Sequence, residues 1–299
     1  MPGAIATPLA PVASGAAGNV SQPIVEPSRT VGVLGVGVMG QALIRGLVRG
    51  GVVAREQVWG AARSASSSDR LADALGVPVE TGYRDRVEGA GLLLICVKPA
   101  QVDSVLDTLR TAPLAADTLI ISIAAGTTIA HIESRLAKPN PLVRAMPNTP
   151  CVVGAGMTVI CGGTHANTSH LDRAHRVFSA VGRCLTLDES YFDGVTGLSG
   201  SGPAYLYLVM EALADGGVRI GMRRDVALTL VAQTVAGAAK MVQETGRHPA
   251  SLRDDVTTPA GCTIGGLLML EDGKIRSVLA RAVEEATRIA STLGLPKNP

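Results

Sequence analysis

VGVLGVGVMG, residues 31–40, decides the fold of the larger part of this 299-residue chain. Val31-Gly32-Val33-Leu34 is a short apolar run of the kind that forms a buried strand. Gly35, Gly37 and Gly40 follow as G-x-G-x-x-G, and Met39, Ala42, Leu43, Gly46 and Leu47 then recur at helical spacing. A motif that closes a strand and opens a helix is the setting in which such glycines bind a dinucleotide. Gly35 serves the tight turn, Gly37 lets backbone approach a pyrophosphate, and Gly40 lets helix and strand pack closely. The whole loop, Gly35, Val36, Gly37, Val38, Met39 and Gly40, is therefore the expected cofactor cradle.

Working outward, the next strand is expected over residues 57–61, with a helix over 68–75. An NAD-preferring fold places an acid near the end of that strand for the ribose hydroxyls. Here the chain reads Ala61-Ala62-Arg63-Ser64-Ala65-Ser66-Ser67-Ser68. Arg63 offers a cation and Ser64 a hydroxyl, which suit a 2′-phosphate. NADPH is the expected cofactor, with NADH serving less well. Further strands are expected over 92–97, 119–123 and 142–146, alternating with helices over 101–109 and 129–136. Repeated strand–helix units imply a parallel, doubly wound α/β sheet of Rossmann type, with ligand at the carboxyl ends of its strands. Those ends add Val97, Lys98 and Pro99, and then Ala124 and Ala125, to the cofactor set.

Beyond residue 150 the pattern changes. Residues 152–160 read as one or two apolar strands broken by glycine, 170–180 as a helix and 183–188 as a last strand. From Asp193 onward strand signals vanish, and helices are expected over 203–218, 224–245, 263–273 and 275–293. Several are apolar on more than one face, so a second chain is the simplest way to bury them. The expected organisation is a disordered Ala/Pro/Gly/Ser tail over 1–28, a nucleotide-binding domain over 29–192 and an all-α dimerisation and substrate domain over 193–299.

Composition narrows the partners. Net charge is +2, with 46% hydrophobic and 2% aromatic residues, so nothing recruits nucleic acid or an anionic membrane surface. Mean hydropathy is +0.30, yet no uninterrupted apolar run reaches the length of a membrane span. The tail lacks a basic region followed by an apolar core, and it lacks arginine, which argues against secretion and mitochondrial import. Five cysteines, an odd number with no C-x-x-C pair, suit reduced thiols in the cytoplasm. His165, His170 and His175 recur every fifth residue, so a helix would spread them over different faces and no metal site is expected.

The stretch 249–271, PASLRDDVTTPAGCTIGGLLMLE, carries the chemistry. Pro259 and Gly261 make residues 257–262 a loop, and the N–H groups of Gly261 to Ile264 then open a helix. Such an end holds unpaired donors and suits a carboxylate or phosphate. A threonine cap on an ordinary helix is the plainer reading of the same residues.

This stretch resembles the signature of pyrroline-5-carboxylate reductases, Val-Thr-Ser/Thr-Pro-Gly-Gly-x-Thr before an apolar helix ending in an acid. One position departs, Ala260 standing where the pattern has glycine. Val97-Lys98-Pro99, Met146-Pro147-Asn148-Thr149-Pro150, Gly200-Ser201-Gly202-Pro203-Ala204-Tyr205 and Ala212–Val218 are similar to further motifs of that family, in the same order. Val38 departs too, where relatives often have asparagine. The resemblance spans about residues 30–295. It implies reduction of a small cyclic imine carrying one carboxylate, the last step of proline biosynthesis, by intertwined homodimers that in some relatives form rings. Matched to the motif, Thr263 would hydrogen-bond the ring nitrogen, Gly261 and Cys262 would offer backbone donors to the carboxylate, and Val256 would line the pocket. Cys262 is not expected to be a nucleophile, having no histidine partner. Two other readings are a dehydrogenase of the β-hydroxyacid type, whose catalytic lysine setting is not found near 197–225, and a non-enzymatic NADP-binding protein, which has no use for residues 257–263.

Overall fold

The computed structural model describes residues 23–293, which fall into two compact units. One runs up to Ser201 and takes in residues from Glu284 onward; the other is Gly202–Val283. The expected boundary at 192/193 therefore moves to 201/202. The reason is that the chain stays on the sheet unit past Phe192: Val195 packs against the same core, and Gly200 lies against Met146.

Among the described residues the sheet unit holds eight strands: β1 (Thr30–Leu34), β2 (Val58–Ala61), β3 (Val79–Glu80), β4 (Ala90–Ile95), β5 (Leu119–Ser122), β6 (Leu142–Met146), β7 (Gly156–Gly162) and β8 (Gly182–Thr186). Their spatial order is β3-β2-β1-β4-β5-β6-β7-β8. The first six are parallel; β7 is antiparallel to β6 and carries β8 parallel to itself. Neighbouring β1 and β4 are reached by opposite turns of the chain, so their carboxyl ends flank the switch point where such folds bind ligands.

Strand residues alternate between two cores. Val31, Val33, Leu92, Leu94 and Ile121 meet α1 (Val38–Arg49), α2 (Ala65–Leu75) and later α5 (Thr168–Ser179). Leu93, Ile95 and Ile120 meet α3 (Val102–Thr111) and α4 (Ile129–Arg135) on the other face. Continuous apolar strands such as Leu92–Ile95 are what a sheet covered on both faces requires.

Three readings need correction. The tail expected over 1–28 does not extend through 23–28: Ile24 and Val25 are buried, Arg173 of α5 donates to the Ile24 carbonyl at 2.6 Å, and Gln57 donates to Glu26. The rest of that tail lies outside the described residues. The strand expected from 152 begins at Gly156 instead, because Thr149–Val153 forms a 3-10 turn closed by Gly154 at φ +74°. Short β3, α6 (Phe192–Val195) and α9 (Pro249–Asp255) were not legible. His170 and His175 have structural duties, closing the start of α5 and bonding Thr186.

The second unit contains α7 (Gly202–Arg219), α8 (Arg224–Thr245), α9, α10 (Cys262–Asp272) and the first part of α11 (Ile275–Ala290). Among its described residues only Ala214 and Ala227 are buried. Leu206, Leu208, Leu228 and Leu230 are all exposed in the single chain. Length and composition alone would let α8 span a membrane.

Candidate functional site

In the sheet unit the predicted cofactor residues converge on the carboxyl ends of four adjacent strands, β2-β1-β4-β5. The ladder continues past the strands and fixes the loops: Gly35 donates to Ala61, Cys96 to Leu34, and Ile123 to Ile95, at 2.8–3.0 Å. Gly35 has φ +100°, and a Cβ there would stand 2.9 Å from the Cys96 carbonyl carbon and 2.8 Å from Val97 Cγ1. Helix α1 starts on Gly37, which has no side chain to cap it and no atom within 4 Å of a would-be Cβ. Its first turn holds no acid. Val38 is exposed, and its neighbour Met39 packs against the core. The loop thus offers free N–H donors and open space at the positive end of a twelve-residue helix, which fits a pyrophosphate.

Arg63 is exposed at the end of β2, and Ser64 begins α2 with its hydroxyl turned to Ser67 at 2.9 Å. No acid occupies the first turn of α2. A cation and hydroxyls without a competing carboxylate fit a phosphate monoester rather than ribose hydroxyls. Val97 backs Gly35, Lys98 is exposed before the 3-10 turn Pro99–Gln101, Ala124 is buried and Ala125 half-buried. The residues present therefore suit NADP.

Val256 ends α9, and Gly261, Cys262 and Thr263 open α10 six residues further on. Thr257 is tied back to Arg253, its hydroxyl donating to that carbonyl at 2.7 Å, and Arg247 pairs with Asp255 at 2.6 Å. Helix α10 starts on Gly261 with no side-chain cap, so the threonine-cap reading fails. One expectation also changes. The Gly261 N–H donates to Thr258 at 3.0 Å, so it is spent inside the turn and the open backbone donors are those of Cys262, Thr263 and Ile264. A Cβ at Gly261 would strike the Thr258 hydroxyl. Ala260, the departure from the family pattern, stands at φ +56°. Thr263 is half-buried, and its hydroxyl has no partner among the described residues. Val256 and Cys262 are exposed.

Thiols elsewhere are held protonated. Burial pushes Cys96 and Cys184 up to about 12, and Cys161 to about 12 with help from Glu189. Asn148, quoted above only within a motif, makes two specific hydrogen bonds that sequence reasoning did not foresee.

Comparison with known proteins extends the picture. The family model described as pyrroline-5-carboxylate reductase dimerisation matches residues 189–293, and that described as NADP oxidoreductase, coenzyme F420-dependent, matches residues 30–126. A pyrroline-5-carboxylate reductase of Methanosarcina acetivorans is 41% identical over 267 residues, 89% of this chain and 98% of that protein. One of Glycine max is 40% identical over 89% of this chain and 96% of its own length. Among solved structures, a pyrroline-5-carboxylate reductase of Coxiella burnetii superposes with a TM-score of 0.83 at 32% identity, over 90% of this chain and all of that one. The Plasmodium falciparum enzyme with NADP bound gives 0.80 at 29% identity, over 89% and 98%.

Proposed function

The chain belongs to the pyrroline-5-carboxylate reductase family, and from that premise we propose how its residues share the reaction. The protein is an NADP-dependent oxidoreductase that reduces 1-pyrroline-5-carboxylate, a cyclic imine, to L-proline. When bound, the nicotinamide cofactor supplies the hydride. Gly35–Gly40 hold its pyrophosphate by backbone N–H groups at the start of α1. Arg63 and Ser64 read the 2′-phosphate. Val97–Pro99 and Ala124-Ala125 form the floor beside them at the strand ends.

The substrate carboxylate sits at the start of α10, where the Cys262, Thr263 and Ile264 N–H groups and the helix dipole favour an anion. The Thr263 hydroxyl donates to the ring nitrogen, and Val256 covers the apolar ring edge. An imine is basic enough to arrive protonated, so a neutral hydroxyl suffices where an alcohol dehydrogenase needs a stronger acid. Catalysis is then mainly positioning. The observation that carries this reading is the start of α10: it has no side-chain cap, and a free hydroxyl stands at its second residue. Loss of NADPH absorbance on mixing with 1-pyrroline-5-carboxylate tests it, and no turnover would sink it.

Two copies form the working unit, joined through the helices covered by the dimerisation match. That assignment gives the apolar surface of α8 a protein partner rather than a bilayer. Five free cysteines favour a reducing, cytoplasmic setting.

A further inference from the structure

Between α6 and α7 the helical chain widens into a π turn, Thr196–Gly200, closed by the Ser201 N–H on the Thr196 carbonyl at 2.9 Å. A π turn carries one residue more than an α turn and persists where its surroundings hold it; such turns recur at functional sites. Here the holding group is Asn148, two residues beyond the end of β6. Its Nδ2 donates to the Ser199 carbonyl at 3.1 Å, and its Oδ1 accepts from the Met157 N–H at 2.8 Å. The two partners fix which way the amide points, since a carbonyl only accepts and an N–H only donates. The turn also lies directly on the last residue of β6: a Cβ on Gly200 would stand 2.7 Å from Met146 Cε. The Ser199 hydroxyl is buried with no hydrogen-bond partner among the described residues. Strand β6 is the neighbour of β5, whose end carries Ala124 and Ala125, so the turn borders the ligand edge of the sheet.

We propose that Asn148 is a positioning residue for the reduction: by holding the Ser199 carbonyl it fixes the π turn against the carboxyl end of β6. It acts through the turn. The inference rests on the reductase reading above.

Asn148→Asp separates the two bonds. A carboxylate still accepts from Met157 but faces the Ser199 carbonyl with oxygen, so only the hold on the turn is lost. In the full-length enzyme kcat should fall about ten- to a hundred-fold, the range of a misplaced reacting geometry. KM for 1-pyrroline-5-carboxylate and NADPH affinity should stay within about twofold of wild type, and amide hydrogen exchange over residues 196–201 should quicken about tenfold, scaled to that single lost hydrogen bond. Should this variant not fold, Asn148→Ala removes the donor to the Ser199 carbonyl without placing a charge there and carries the same expectation for kcat. Unchanged exchange over 196–201, or a lower Tm with unchanged kcat, overturns the proposal. Wild-type turnover tests the reductase reading separately, and the exchange measurement needs no substrate, so the two failures are distinguishable.

Discussion

In the proposed mechanism Thr263 is the residue on which the chemistry turns, and its hydroxyl is unspent among the described residues. Thr263→Val keeps the shape and the backbone donors while removing that hydroxyl. We expect kcat to fall about ten- to a thousand-fold, the range of one positioned donor, with NADPH affinity unchanged. Steady-state kinetics decide it: an undiminished kcat would leave positioning and a preprotonated imine as the whole account. Arg63 makes a complementary test. Arg63→Ala should raise the NADPH KM about ten- to a hundred-fold, one charged hydrogen bond being worth roughly 1.5–3 kcal/mol. NADH should hardly notice, and equal losses with both would remove Arg63 from phosphate recognition. Ala260 shows where residue-level reading stops. A missing glycine was visible in the motif, but not that the alanine holds a left-handed conformation, φ +56°. A left-handed residue costs about 1–2 kcal/mol, and glycine's extra freedom in the unfolded chain gives back about 0.4–1 kcal/mol of that. Ala260→Gly should therefore be neutral or stabilising by up to about 1.5 kcal/mol in urea denaturation, and Ala260→Val, branched at Cβ, clearly destabilising.

At the scale of elements, two helix starts that stand on glycine contrast with three that a side chain closes. Helices α4, α5 and α9 are closed by Thr128, Asn167 and His248 side chains. Helices α1 and α10 begin on Gly37 and Gly261, which have nothing to offer. Both were legible because glycine at a helix start is itself the signal. The segment before β1 was not legible. Its composition reads as a tail, and only tertiary partners make it structure: Ile24 and Val25 enter the core, while Arg173 ties the Ile24 carbonyl to that of Gly91 and Arg29 bonds the Ala90 carbonyl. The π turn was hidden for the same reason, since its support comes from Asn148, fifty-one positions from Ser199. The strap grips the amino ends of β1 and β4, away from the cofactor loop. Ile24→Ala should therefore cost about 2–5 kcal/mol, the range for a fully buried isoleucine, and leave NADPH affinity at wild type. A thermal melt and a cofactor titration check the two halves; weaker NADPH binding by folded protein would show that the strap reaches the site.

At the scale of the molecule, the helical unit has too little interior to explain itself. Among residues 202–283 only Ala214 and Ala227 are buried, and two alanine methyls bury too little apolar area to offset the ordering of five helices. Meanwhile Leu208 of α7 and Leu230 of α8 are 67% and 51% exposed. Burial of such faces is worth about 1.5–3 kcal/mol per leucine, and a second copy offers the same faces in return. That much was legible from helices apolar on more than one side; which residues would remain uncovered was not, because it depends on how α7 and α8 pack on each other. Leu208→Glu places a charge where the interface is expected. Light scattering should then show the wild type as a dimer or a multiple of it and the variant shifted toward smaller species, with reductase activity falling in step and NADPH binding retained, since the cofactor loop belongs to the other unit. A wild-type chain that is monomeric and fully active at assay concentration would overturn the argument, because the exposed leucines would then need an explanation other than a second copy.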